Sequence, residues 1–138
     1  MRTSRRDPAL PAVPAPLRVA VAVAVAEGVA LAAYGVVLLF ALTFDRAVMG
    51  VSTAVFFTGY GAALVAGAVL LAGLRSWTRA PVVLAQLIQL GVAWSFRGGG
   101  TTTAAVLLAV AALAVLGGVL HPASLSALAR SDELDERR

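Results

Sequence analysis

The 138-residue sequence has no cysteine, no lysine and a single histidine, His121. Without cysteine there can be no disulfide, thiolate metal ligand or thiol nucleophile. One histidine cannot build a multi-histidine centre, so no metal site is expected. The glycines of "RGGGTTT" (residues 97–103) lack the lysine and spacing of a phosphate-binding loop, and a tight turn is expected there. With no nucleophile–base pair either, no catalytic residues and no cofactor are expected, and the chain reads as non-enzymatic. The larger deficit is polar surface. Only 13% of the residues are charged, 60% are hydrophobic, and the mean hydropathy is +0.91. A soluble domain is typically about 45–50% apolar and about 25% charged.

The basic balance, with a net charge of +4 carried entirely by arginine, raises nucleic acid as a partner. The arginines flank apolar runs, however, and do not form a patch interleaved with aromatics. Flanking placement is what membrane topology requires. The expected partners are therefore the lipid bilayer and other membrane proteins or a second copy, not nucleic acid.

Three regions follow from the pattern. Residues 1–16 carry Arg2, Arg5 and Arg6, then Pro8, Pro11, Pro14 and Pro16, and read as a disordered cytoplasmic tail. Residues 17–120 hold four apolar runs, at about 17–44, 51–74, 77–96 and 102–120. Each approaches or exceeds the roughly 20 residues needed to cross a ~30 Å hydrocarbon core. The alternating "VAVAVAVA" from Val19 is apolar at both phases, so it predicts a spanning helix and not a half-buried strand. Unpaired backbone is not tolerated in lipid, which again selects helices. The connections "DRAVMG", "RS" and "RGGG" are short, so consecutive helices should be antiparallel neighbours. Residues 121–138 mix Arg130, Arg137 and Arg138 with Asp132, Glu133, Asp135 and Glu136, and read as a solvated, partly helical cytoplasmic tail.

The expected fold is thus all-α, a four-helix transmembrane bundle running up-down-up-down. With both termini cytoplasmic, nine arginines lie inside and only Arg46 and Arg97 outside, as the positive-inside rule demands. Trp77 and Trp94 are 17 residues apart, or ~25 Å along a helix, which suits an aromatic belt at each interface.

Glu27 is the feature that the apolar pattern does not explain. It lies eight residues past Val19, ~12 Å into the first span. A charge at that depth has to face protein or water, be protonated or be paired. Tyr34 returns to the same face seven residues later. In the third span Gln86 reaches a similar depth, Gln89 follows one turn on, and Arg79 precedes it on the same face. Tyr60 in the second span is at the depth of Tyr34. Glu27, Tyr34, Tyr60, Gln86, Gln89 and Arg79 are therefore the candidate polar cluster. Its structural reading is a neutral or Arg79-paired Glu27 with glutamines bonding between helices. Its functional reading is a proton or cation site. Gly59, Ala63 and Gly67 recur every four residues and are the candidate helix-packing stripe, within the monomer or between copies.

The stretch "RSWTRAPVVLAQLIQLGVAWS", with Trp77, Arg79, Pro81 and Gln86, an acidic residue in the first span and the ending "LHPASLSAL" resemble an uncharacterised family of small four-helix integral membrane proteins of actinobacteria. The resemblance spans most of Arg18 to Arg130 and implies the topology without adding an activity. A looser likeness, four short helices with one glutamate in the first, is to the small multidrug resistance transporters. That likeness would make Glu27 a shared proton and substrate site. The fourth span lacks that family's polar and glycine pattern, and the paired glutamines are foreign to it. The first expectation is an accessory or scaffold protein of the cytoplasmic membrane, and the alternative is a small proton-coupled transporter using Glu27.

Overall fold

The protein, seen in a computed structural model, is described over residues 12–41 and 47–137. Most of the expected N-terminal tail, the end of the first apolar run and Arg46 lie outside these residues. The described chain is all-helical: α1 (Ala15–Phe40), α2 (Ala47–Ala72), α3 (Arg79–Ser95), α4 (Thr102–Val119) and α5 (Pro122–Glu136). Short 3₁₀ turns at Ser76–Thr78 and Gly99–Thr101 lead into α3 and α4. α1, α2 and α4 are long and apolar enough to cross a membrane, and by length and composition the chain is a membrane protein. α3, at 17 residues, spans ~25 Å, because the first turn of its apolar run is 3₁₀.

Three boundaries differ from expectation. α2 starts at Ala47, four residues early, so part of the expected connection "DRAVMG" is helical. α1 starts at Ala15, with Pro14 as its N-cap and Pro16 inside the first turn. Proline fits there because the first N–H groups of a helix have no intrahelical acceptor. The expected C-terminal tail is the helix α5, one side of which is buried through Ser124, Ala127, Leu128 and Ser131. His121 caps it: the Nδ1 atom accepts the Ala123 N–H at 3.2 Å, and Pro122 takes the first helical position.

α1 to α4 form a ring in which α1 packs on α2 and α4, and α3 on α4 and more sparsely on α2. α1 and α3 stand diagonally and their backbones do not meet. Buried positions recur at spacings of three and four. They are Leu17, Ala20, Ala24 and Gly28 in α1, Leu64, Ala68 and Leu71 in α2, Val82, Gln86, Gln89 and Ala93 in α3, and Ala112, Val115 and Val119 in α4. This is the spacing of near-parallel helices packed ridge into groove. α5 lies across the end of the ring where α2 gives way to α3. Leu74 ends α2 in the left-handed region, φ 58°, with the Arg75 N–H reaching the Leu70 carbonyl at 3.1 Å. The Ser131 hydroxyl shares its one proton between the Leu128 carbonyl of its own helix at 2.6 Å and the Leu74 carbonyl at 2.9 Å, and the Ser124 hydroxyl donates to Gly118 at 2.6 Å. α5 thus satisfies carbonyls that the ends of α2 and α4 would leave open.

The tightest seam is α1 on α2. A methyl at Gly28 would stand 2.7 Å from the Gly61 carbonyl oxygen, and one at Gly35 2.7 Å from that of Ala54. A methyl at Gly61 would collide with the Gly28 carbonyl and stand 2.6 Å from the Ala32 nitrogen. Within one chain the stripe Gly59–Ala63–Gly67 does not form a helix seam. Gly59 faces open space, Ala63 is exposed, and only Gly67 approaches a neighbour, Val82 at 3.1 Å. A four-residue spacing fixes a face but not which face is buried, and in a helix of Ala, Gly and Val several faces fit equally.

These two sets of glycines should respond differently to one methyl group. Gly59→Ala is expected to change stability by no more than about 1 kcal/mol, in the stabilising direction. Gly61→Ala is expected to cost about 1–3 kcal/mol by forcing α1 and α2 apart. Unfolding from mixed micelles by sodium dodecyl sulfate reads both. Equal effects at the two positions would be incompatible with this seam.

Candidate functional site

Glu27 projects from α1 at the level where Gly28 brings that helix against α2. Its carboxylate reaches across the ring to α3. Gln86 Nε2 donates to Glu27 Oε2 at 3.0 Å and Gln89 Nε2 donates to the same oxygen at 3.4 Å. Gln86 is 0% exposed and Gln89 4%. Both belong to the buried stripe of α3, three residues apart, so consecutive turns present their amides to one point. The backbones of α1 and α3 do not meet, so three long side chains form the bridge on the diagonal.

The bridge is incomplete as a hydrogen-bonded unit. Glu27 Oε1, Gln86 Oε1 and Gln89 Oε1 are all buried with no hydrogen-bond partner. A buried acceptor without a donor costs about 1–3 kcal/mol, and more if charged, whereas a hydrogen bond to a charged group contributes about 1.5–3 kcal/mol. The two donated bonds and the three open oxygens are therefore of comparable size.

The other candidates stand elsewhere. Tyr60 donates its hydroxyl to the Ala85 carbonyl at 3.0 Å and stacks on Phe56, centroids 5.8 Å apart. It ties α2 to α3 next to Gln86 but does not touch the carboxylate. Tyr34 is 53% exposed and stands edge-on to Phe57 at 5.3 Å. At that level Gly35 and Ala54 bring α1 and α2 into backbone contact, which leaves no room for a ring between them. Arg79 opens α3 at the α5 end of the ring. It is exposed and lines a shallow groove with Ser76, Trp77, Leu125, Leu128 and Asp132. Seven residues, ~10 Å of helix, separate it from Gln86, and the pairing of Glu27 with Arg79 is not made. Ser76 and Asp132, which hydrogen-bond at 2.5 Å to join the α3 entry to α5, carry no sequence signal for each other.

Beside the bridge, a groove of about 190 Å³ runs between α2 and α3, lined by Tyr60, Ala63, Leu64, Gly67, Val82 and Ile88 among others. It is apolar, faces outward and does not include Glu27. It marks the sparse α2–α3 contact, which Tyr60 spans at one point.

Replacing Glu27 with Leu leaves two buried amides without an acceptor and is expected to cost about 1–3 kcal/mol. Gln86→Leu alone should cost less, because Gln89 still reaches the carboxylate. The two changes together should fall short of their sum by about 0.5–3 kcal/mol. Strict additivity in detergent unfolding would mean that the two side chains do not meet. Compared with protein-family models, curated proteins and solved structures, this chain matches none of them.

Proposed function

We propose that the chain is a four-pass protein of the cytoplasmic membrane, actinobacterial by its resemblance, with both termini inside. In this reading it is a non-enzymatic accessory or scaffold that packs against other membrane proteins or further copies of itself. The observation that carries the role is the outward apolar groove between α2 and α3. Two adjacent helices of a ring leave an unfilled cleft with Ala63 and Gly67 along it, and small residues let a further helix approach closely. The alternative reading, a small proton-coupled transporter, rests on Glu27 and has less behind it, since the groove does not include that residue.

The topology is supported by the arginine asymmetry and by the place of α3. α3 packs between α2 and α4, and exposed tryptophans, Trp77 and Trp94, sit at its two ends. At its outer end Arg97 lies over the Trp94 ring, 3.5 Å from the centroid, where a cation and an amphipathic ring meet the headgroups. The absence of native cysteine makes single-cysteine labelling clean. In Ser126→Cys and Thr101→Cys variants, a membrane-impermeant maleimide applied outside intact cells should label only the second. Labelling of both or of neither from outside would place the two ends of α4 on one side and remove the four-pass arrangement.

For the role itself, the measurement is the native mass of the protein extracted with its surrounding lipid. A stoichiometric second protein or a second copy is expected, and Ala63→Leu, which fills the groove from an exposed position, should release it while the helical content stays unchanged. A bare monomer under these conditions would eliminate the scaffold reading.

A further inference from the structure

The three oxygens left open around Glu27 belong to the three side chains that meet there. Gln86 and Gln89 are essentially fully buried, and no basic side chain pairs with the carboxylate among the described residues. The site is therefore one carboxyl group, a single negative charge when ionised, and a set of oxygen acceptors, with no basic side chain among the described residues to answer them.

The count of oxygens decides what ligand fits. A proton on Glu27 Oε1 gives one O–H, which can reach one amide oxygen and leaves the other without a donor. A divalent cation would satisfy the oxygens but leave a net positive charge in an apolar surrounding. A monovalent alkali cation is a hard ion that prefers carboxylate and carbonyl oxygen, cancels the single charge and can be shared by all three side chains. The amides adapt without backbone movement, the ion taking over at the carboxylate from each N–H that turns away. The last torsion of glutamine is broad and roughly two-fold, so rotation places oxygen where nitrogen stood.

We infer that Glu27, Gln86 and Gln89 form a binding site for a monovalent alkali metal cation on the axis of the bundle. The ion links α1 to α3 across a diagonal that no backbone contact spans, so its binding stabilises the four-helix ring. The site does not depend on the scaffold role and would serve a carrier equally.

The test uses the full chain in detergent micelles. Thermal unfolding is followed by circular dichroism in choline chloride, titrated with sodium or potassium chloride at constant ionic strength and pH. The midpoint is expected to rise and to saturate with one of the alkali ions, as for any ligand bound by the folded state alone. Glu27→Gln should abolish the response. Gln89→Leu should weaken the apparent affinity by at least about tenfold, the lower end of what losing even an outer-shell partner costs a metal site. If Glu27→Gln does not fold, equilibrium dialysis of the wild-type protein against radioactive sodium decides. One ion per chain, displaced by unlabelled alkali salt but not by choline, supports the site. No saturable binding or stabilisation, or an unchanged response in Glu27→Gln, would overturn it; a midpoint that ignores alkali salt but rises when the choline chloride sample is acidified would overturn it too and assign the carboxyl a proton.

Discussion

The closeness of α1 and α2 constrains everything else in this bundle. Where Gly28 meets Gly61, and Gly35 meets Ala54, carbonyl oxygens occupy the space of the missing methyl groups. In lipid there is no hydrophobic drive to bring apolar helices together, so backbone-to-backbone packing of this kind has to supply the association. A second small-residue contact does the same for α4, where Gly118 lies against Pro16 and Ala20 of α1. α1 is thus fixed on two sides by small-residue contacts, while Glu27 points from it toward α3.

α3 is held differently. It packs on α4 and only sparsely on α2, and its buried stripe carries two glutamines between Val82 and Ala93. Polar interhelical bonds in membranes contribute about 0.6–2 kcal/mol each, no more than a good packing contact, but they are directional. The amides of Gln86 and Gln89 have to meet Glu27, and the Tyr60 hydroxyl has to meet Ala85. These bonds fix the depth and rotation of a helix that packing alone would leave free to slide. The outward groove follows from this division of labour: α2 spends its small face on α1, and only side chains bridge it to α3.

The sequence made the helices legible and hid their rotation. Run length alone marks four apolar segments, because some 20 apolar residues admit no other backbone in lipid. Which residues face inward was readable only where chemistry breaks the monotony. Glu27, Gln86 and Gln89 are polar against an apolar background, and depth counting from the interfaces is enough to expect them at one level. Gly61 and Gly59 look alike in a stretch of Ala, Gly and Val, and nothing local says that the first is pressed against Gly28 while the second faces open space. Tyr34 misled for the same reason. Its seven-residue spacing from Glu27 was sound, but the contact of Gly35 with Ala54 that expels its ring is a tertiary fact.

The C-terminal helix shows how a polar sequence can carry packing. Its composition reads as solvated, yet Ser124 and Ser131 are buried with their hydroxyls satisfied, Ser124 by Gly118 of α4 and Ser131 by Leu128 of its own helix and by Leu74 just past α2. Helix ends leave four carbonyls without intrahelical partners, and those ends gather at the turn where α2 stops. Leu74 needs this help most, since its left-handed conformation costs a residue with a Cβ about 1–2 kcal/mol. A glycine there would relax the strain but lose a buried side chain, and Gly73 sits one position too early to serve. The Ser131 hydroxyl and the buried Leu74 side chain together keep the strained turn in place. That turn directs the chain from α2 into α3 and sets the level at which Gln86 meets Glu27.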